Sequence, residues 1–476
     1  MLDAAAYLKT QQLPIKYLQI DSWFYKKGHK DGTRTWAPEK SIFPNGFENL
    51  YAKTGLPIGC HNRYWDNDTT YARYNGGKYN FIPDTTTGCA VPDDQGFWND
   101  LFNSTQKWGK FILYEQDWLN AETDRNMVLL TDLFLGRRWL IQMGLGAAKF
   151  GVAIQYCMAY SRHILQSLEV PIVTQARASD DYATGEKQWK IGTTAMFIDA
   201  MQLAPSKDTF WTSLEEPGNP YKRHEDMPYV QAMVATYSTG PVGPGDGIGY
   251  VNASLLMKCC NSDGLILRAS RPLTIMDKSL KQAAFVGGNP MGQGEALYST
   301  IANISGHIFG TILATDVNGT YNLEPMDLTP DYPGQNEDMT TFIYNSFTGK
   351  FRAWSSSLPL IVDATTCGTE LCVFYSTSLI RVDAYNTRVG LLGEMNSKFS
   401  PVSPQRFFAL RTTETSDLEV QVRLSAGENI DVWFLALLKG SSFTLFLECD
   451  NTHSTKPAVF VATLKVNGDS RCAVAV

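Results

Sequence analysis

Positive charge is not in excess in this sequence: 41 Lys and Arg stand against 48 Asp and Glu, giving a net charge of -7. Without a basic field to attract phosphates, nucleic acid and anionic membrane surfaces are excluded as partners. No apolar run is long enough to cross a bilayer, so no membrane partner is expected. The nine cysteines include no paired CxxC set and no His at ligand spacing, which excludes a structural zinc site. No metal and no organic cofactor is expected. Internal repeats and low-complexity linkers are also lacking.

What is present belongs to a large globular chain. Its 476 residues are enough for two or three domains with ample core. Aromatic residues make up 12% of the chain; their faces suit sugar rings and equally fill a core. Cys367 and Cys372 bracket GTEL and are spaced to close a small disulfide loop. Sequons at Asn67, Asn103, Asn252, Asn303 and Asn318 point to a secreted or secretory-pathway glycoprotein, with the cytoplasm as the alternative.

The chain alternates strand and helix patterns over its first half. Residues 1–12 read as an amphipathic helix, not as a signal peptide. Apolar strand-like runs follow at 16–21, 56–60, 110–119, 151–160 and 170–182, with helical patterns at 46–53, 97–108, 131–148, 161–168 and 186–203. Residues 67–94 form a long polar loop. A weak strand at 209–212 and a last barrel-like strand at 233–238 lead into a glycine-rich loop at 240–249. That loop lacks the Lys-Ser/Thr of a phosphate cradle. A helix at 252–258 and a strand-like exit at 264–268 complete the half. This is the rhythm of a (β/α)8 TIM-type barrel, expected over residues 1–290. From about Glu295 the period becomes two, with strands at 371–375, 419–424, 431–438, 442–448 and 458–466 and a turn at Asn467 to Asp469. This predicts an all-β sandwich domain over 291–476.

Acids recur at the ends of the early strands: Asp21, Asp117, and Asp180 with Asp181. A single Asp after a strand is usually a helix cap or turn residue. Several at the C-terminal tips of neighbouring parallel strands would face one pocket, and two carboxylates across a glycosidic bond are the minimal equipment for its hydrolysis. His61 crowds the tip of the 56–60 run with Asn62, Arg63, Tyr64 and Trp65, and by itself reads as a satisfied loop residue. Trp65 and Trp118 offer aromatic platforms for a sugar acceptor, or core packing.

These motifs carry a resemblance. RASDDY, residues 177–182, resembles the RASDDF segment of plant raffinose synthases and seed imbibition proteins, relatives of the glycoside hydrolase family 36 α-galactosidases. YLQIDSW resembles the family's strand ending in IDDGW, and WAPEKSIFPNGFENL its W…FP segment. FILYEQDW stands at the place of the K-x-D nucleophile strand, and IQYCMAY resembles the strand ending in a Cys-Met pair. STGPVGPGDGIGYVNASLLMKCCNSDGLILRASRPLT is similar to the family's ending of this domain. The resemblance spans roughly residues 1–274 and implies a retaining glycosidase acting on α-linked sugars. Asp117 matches the nucleophile and Asp180 the general acid/base. Asp21 matches a sugar-hydroxyl acceptor and Asp181 a neighbouring acid, while Trp23, Trp65, Glu115, Cys157 and Arg177 fall at substrate-binding positions. The implied partner is an oligosaccharide or glycoside; galactosyl transfer, as in raffinose synthase, and a non-catalytic carbohydrate-binding role are the alternatives. The sequence departs from the family at Ser22, where a second Asp is usual, and at Glu115, where an anion replaces a lysine that binds galactose hydroxyls. The family's N-terminal β-domain and first barrel strand have no counterpart here, as in an N-terminally truncated chain.

Overall fold

The computed structural model describes residues 1–219, 223–286, 295–329, 339–382, 387–413, 417–438, 441–465 and 469–475. By its contacts the chain divides into two compact units. The first is Met1–Asp180 with Ile198–Pro205, and the second is Asp181–Phe197 with Ser206–Val476. The expected boundary at residues 290 and 291 lies outside the described residues, as do residues 467 and 468 of the expected turn.

Six strands form one sheet in chain order: β1 (Leu18–Ile20), β2 (Ile58–Asn62), β3 (Phe111–Gln116), β4 (Ala153–Tyr156), β5 (Val173–Arg177) and β6 (Ala204–Ser206). The first five run parallel, with Ile20 opposite Cys60, Cys60 opposite Tyr114, Gln116 opposite Tyr156 and Ile154 opposite Val173. Parallel strands need crossovers, and helices supply them: α1 (Leu2–Thr10) precedes β1, α2 (Gly46–Thr54) links β1 to β2, and α3 (Gln95–Thr105) precedes β3. Next come α4 (Leu135–Lys149), α5 (Ser161–Gln166) and α6 (Gly192–Ala200). The result is an α/β fold with a parallel, half-barrel sheet.

Local chemistry sets these boundaries. Asp94 caps α3 by accepting the Gly96 N–H at 2.8 Å. The turn into β3 passes through Gly109 at φ +91°, where a Cβ would lie 2.5 Å from a ring carbon of Tyr51. Only glycine fits both conditions. Along β3 the side chains alternate: Tyr114 packs on Trp36 and Phe102 with ring centroids 5.2 Å away, and Glu115 takes the opposite face.

Three expected strands are not strands. Residues 233–237 belong to helix α7 (Pro228–Tyr237), with Ser238 as its C-cap; the helix starts with Pro at its first turn and is buried at every position from Val230 to Tyr237. A helix apolar on all sides has no amphipathic period and reads as a buried strand. Among the described residues, the runs at 209–212 and 264–268 make single bridges, Phe210 with Pro244 and Ile266 with Cys260. Strand β6 was missed because it is only three residues long, directly after the run read as a helix at 186–203, and too short to show a period.

The second unit holds a nine-stranded and a four-stranded antiparallel sheet. One core cluster draws on both: Phe309, Leu391 and Phe434 from the larger sheet meet Val420, Val422 and Phe460 from the smaller. Burial alternates strictly along Leu418–Leu424, the period of a half-covered strand. Cys367 and Cys372 form the expected disulfide, and a second, unforeseen one joins Cys449 to Cys472.

Candidate active site

The carboxylate of Asp117 lies at the end of β3, buried to 6% exposure. Its backbone N–H donates to the Asn62 carbonyl at 2.8 Å, which ties the tip of β3 to that of β2. One side-chain oxygen accepts the Trp118 N–H at 2.6 Å. The other lies 3.0 Å from His61 Nε2. Trp118 turns the chain in the left-handed region, φ 56°, so the following short helix, Leu119–Asp124, leaves the strand abruptly and Asp117 stays at the tip.

His61 is the hub of the site. Its Nδ1 lies 3.2 Å from the Tyr25 hydroxyl, and its Nε2 is 3.9 Å from the exposed Asp21 carboxylate. The Trp36 indole N–H donates to its carbonyl at 2.9 Å, fixing the backbone from the opposite side. Burial opposes an imidazolium here, but the hydrogen bond to Asp117 and the charges of Glu115 and Asp21 overcome it, so His61 titrates above the ordinary histidine value. Burial likewise opposes the Asp117 anion, and the His61 hydrogen bond, with the charge of Arg177 beyond it, holds the carboxyl below its ordinary value.

Glu115 lies deeper. Its two oxygens accept from Gln19 Nε2 at 2.5 Å and from Gln155 Nε2 at 3.1 Å, and Gln175 Nε2 in turn donates to Gln155 Oε1 at 3.0 Å. A polar ladder thus crosses β1, β3, β4 and β5. Burial raises the Glu115 carboxyl despite the nearby His61. The thiol of Cys157, just past β4, is fully buried, and burial raises it well above the usual range. Glu115, Asp117 and Cys157 offer ligand atoms that all lie within 4.8 Å of one another.

Of the residues singled out in the sequence, Asp21, Glu115, Asp117 and Cys157 come together, and the charge of Arg177 acts on the last three. Asp180 lies just past β5 with its side chain exposed; Asp181, the first residue of the second unit, is also exposed. The next helix starts only at Gly192, so neither caps it. Trp23 is half exposed and stacks on Phe43 at 5.5 Å. Trp65 is corrected: it has no exposed surface and is enclosed edge-on by Phe97, Tyr71 and Phe81. A ring without a free face is core, not a sugar platform.

Sequence reasoning passed over the role of His61 and missed Tyr25, Gln19, Gln155 and Gln175. The signal was there in part. Three glutamines interrupt apolar strand runs, two of them against Glu115 and the third against Gln155, and a polar residue placed so in a buried strand needs a partner. Comparison with family models and with curated proteins gives no match for this chain.

Proposed function

We propose that the protein is a retaining glycosidase acting on α-linked sugars, of the α-galactosidase type, with Asp117 as nucleophile on a (β/α)-barrel scaffold. The observation that carries this reading is the setting of Asp117: a buried carboxylate, held by the His61 ring and the Trp118 N–H at the tip of a parallel strand, the edge at which such sheets place their chemistry. In this mechanism Asp117 attacks the anomeric carbon. Asp180, close to the glycosidic oxygen once substrate is bound, gives up its proton. Water, or a second sugar in a transferase, then resolves the glycosyl-enzyme with Asp180 as base. His61, held between Tyr25 and Asp117, orients the nucleophile, and its hydrogen bond favours the anionic form of Asp117. In this reading Asp21 accepts sugar hydroxyls. The sequons and the two disulfides support a secretory setting.

Incubation with aryl α-galactoside, α-glucoside and α-N-acetylgalactosaminide tests the reading. We expect aryl release from one of them, lowered at least about 10³-fold in Asp117→Ala. The exposure of Asp180 and an acid in place of a lysine at Glu115 favour a second reading, a carbohydrate-binding protein without turnover. Sugar binding without release from folded protein would establish it in place of the first.

A further inference from the structure

We propose that Glu115, Asp117 and Cys157 form a binding site for a soft divalent cation of the zinc type, held by one thiolate and two carboxylates with water completing the shell. Cys157 is a buried thiol to which the mechanism above gives no covalent step. Yet its sulfur and one oxygen from each acid lie within 4.8 Å of one another, on the tips of two adjacent strands. The backbone fixes that juxtaposition, since the Cys157 N–H donates to the Gln116 carbonyl at 3.0 Å.

Each carboxylate is also oriented from behind. Gln19 and Gln155 hold Glu115, and His61 holds Asp117; such outer partners position ligands in metal sites. Three protein ligands with an open fourth position is the pattern of an accessible zinc centre, and the sulfur selects soft ions over magnesium or calcium. On binding, the Cys157 S–H bond breaks, its proton leaves to solvent and an S–metal bond forms. The cation would occupy the nucleophile, so the same site would be reversibly inhibited by zinc. That consequence rests on the glycosidase reading; the binding itself does not.

Cadmium is the probe. Titrating the full chain in thiol-free buffer should give a near-ultraviolet sulfur-to-cadmium charge-transfer band that saturates at one equivalent and is displaced by zinc. The band should vanish in Cys157→Ser, which leaves the buried thiols Cys60, Cys89, Cys259 and Cys260 in place. In the isosteric Glu115→Gln the band should persist with affinity lowered at least ~10-fold; this variant keeps the thiol and decides the matter if Cys157→Ser fails to fold. No band from folded protein, a band surviving Cys157→Ser, or unchanged affinity in Glu115→Gln overturns the proposal. Cadmium binding by a protein that releases no aryl group from any glycoside would sink only the glycosidase reading. Aryl release undiminished by saturating zinc would place the cation elsewhere.

Discussion

A histidine whose two ring nitrogens are both committed records which proton it carries. His163 accepts the Tyr160 N–H at Nδ1, 2.9 Å away, and so must carry its proton on Nε2, which faces the Thr123 hydroxyl at 3.1 Å. That hydroxyl donates its own hydrogen bond to the Leu119 carbonyl at 2.9 Å. An imidazolium would set a second N–H against the Tyr160 donor. Burial, with Arg162 adding to it, depresses His163 to about 3. The sign follows: below the ordinary value of about 6.5 the unfolded chain takes up a proton that the folded chain refuses. Stability is therefore lost as pH falls from about 6.5 to about 3, by roughly 1.4 kcal/mol per unit. Urea unfolding at pH 6 and pH 4.5 should show His163→Gln losing about 2 kcal/mol less than the parent over that interval. Equal losses would mean that His163 is protonated in the fold. Nothing in the sequence marked His163, because its partners are a backbone N–H and a hydroxyl on another element. His61 was passed over for the same reason: the pattern shows a residue type at a strand tip, not what lies across from it.

At the scale of elements, legibility followed periodicity. β1 to β5 were read in place because each is a short apolar run closed by a polar tip, and the alternating strands of the second unit, such as Leu418–Leu424, were equally plain. Two misreadings fell where period carries no information, on the wholly buried helix α7 and on β6, three residues long; the runs at 209–212 and 264–268 make isolated bridges. Also invisible was the device that pins three strand ends together. Arg406, fully buried just before strand Phe407–Thr412, donates to Glu394 at 2.8 Å and to both oxygens of Glu428 at 2.7 and 2.6 Å. Glu394 closes strand Arg388–Gly393, and Glu428 opens strand Asn429–Leu438. Removing the cation leaves two buried anions facing each other, a loss of about 3–5 kcal/mol. Arg406→Met should lower the stability of the folded chain by that amount in denaturant titration. Arg406→Lys, which keeps the charge but not the planar fork, should fall between. A loss under about 1 kcal/mol in Arg406→Met would show that water reaches the acids.

Over the whole molecule the covalent restraints are unevenly placed. Both disulfides, Cys367–Cys372 and Cys449–Cys472, lie in the second unit. The three cysteines of the first unit, Cys60, Cys89 and Cys157, are buried free thiols, and its sheet is held by hydrophobic burial and by the polar ladder across β1 to β5. The Cys449–Cys472 bridge spans a sequence separation of 23, for which chain entropy alone gives about 3 kcal/mol; the Cys367–Cys372 loop, with a separation of 5, contributes less. Reduction therefore acts on one unit. Strands Ser441–Asp450 and Arg471–Val474 carry the longer bridge, and Ala458–Leu464 pairs with both Arg471–Val474 and Leu418–Leu424. In hydrogen exchange followed by mass spectrometry, a reductant should speed exchange through Leu418–Leu424 and Ala458–Leu464 by up to about 10²-fold and leave β2 and β3 unchanged. Faster exchange at β2 and β3 as well would mean that the site around Asp117 draws its rigidity from the disulfide-bonded unit, whereas unchanged rates there assign that rigidity to the parallel sheet.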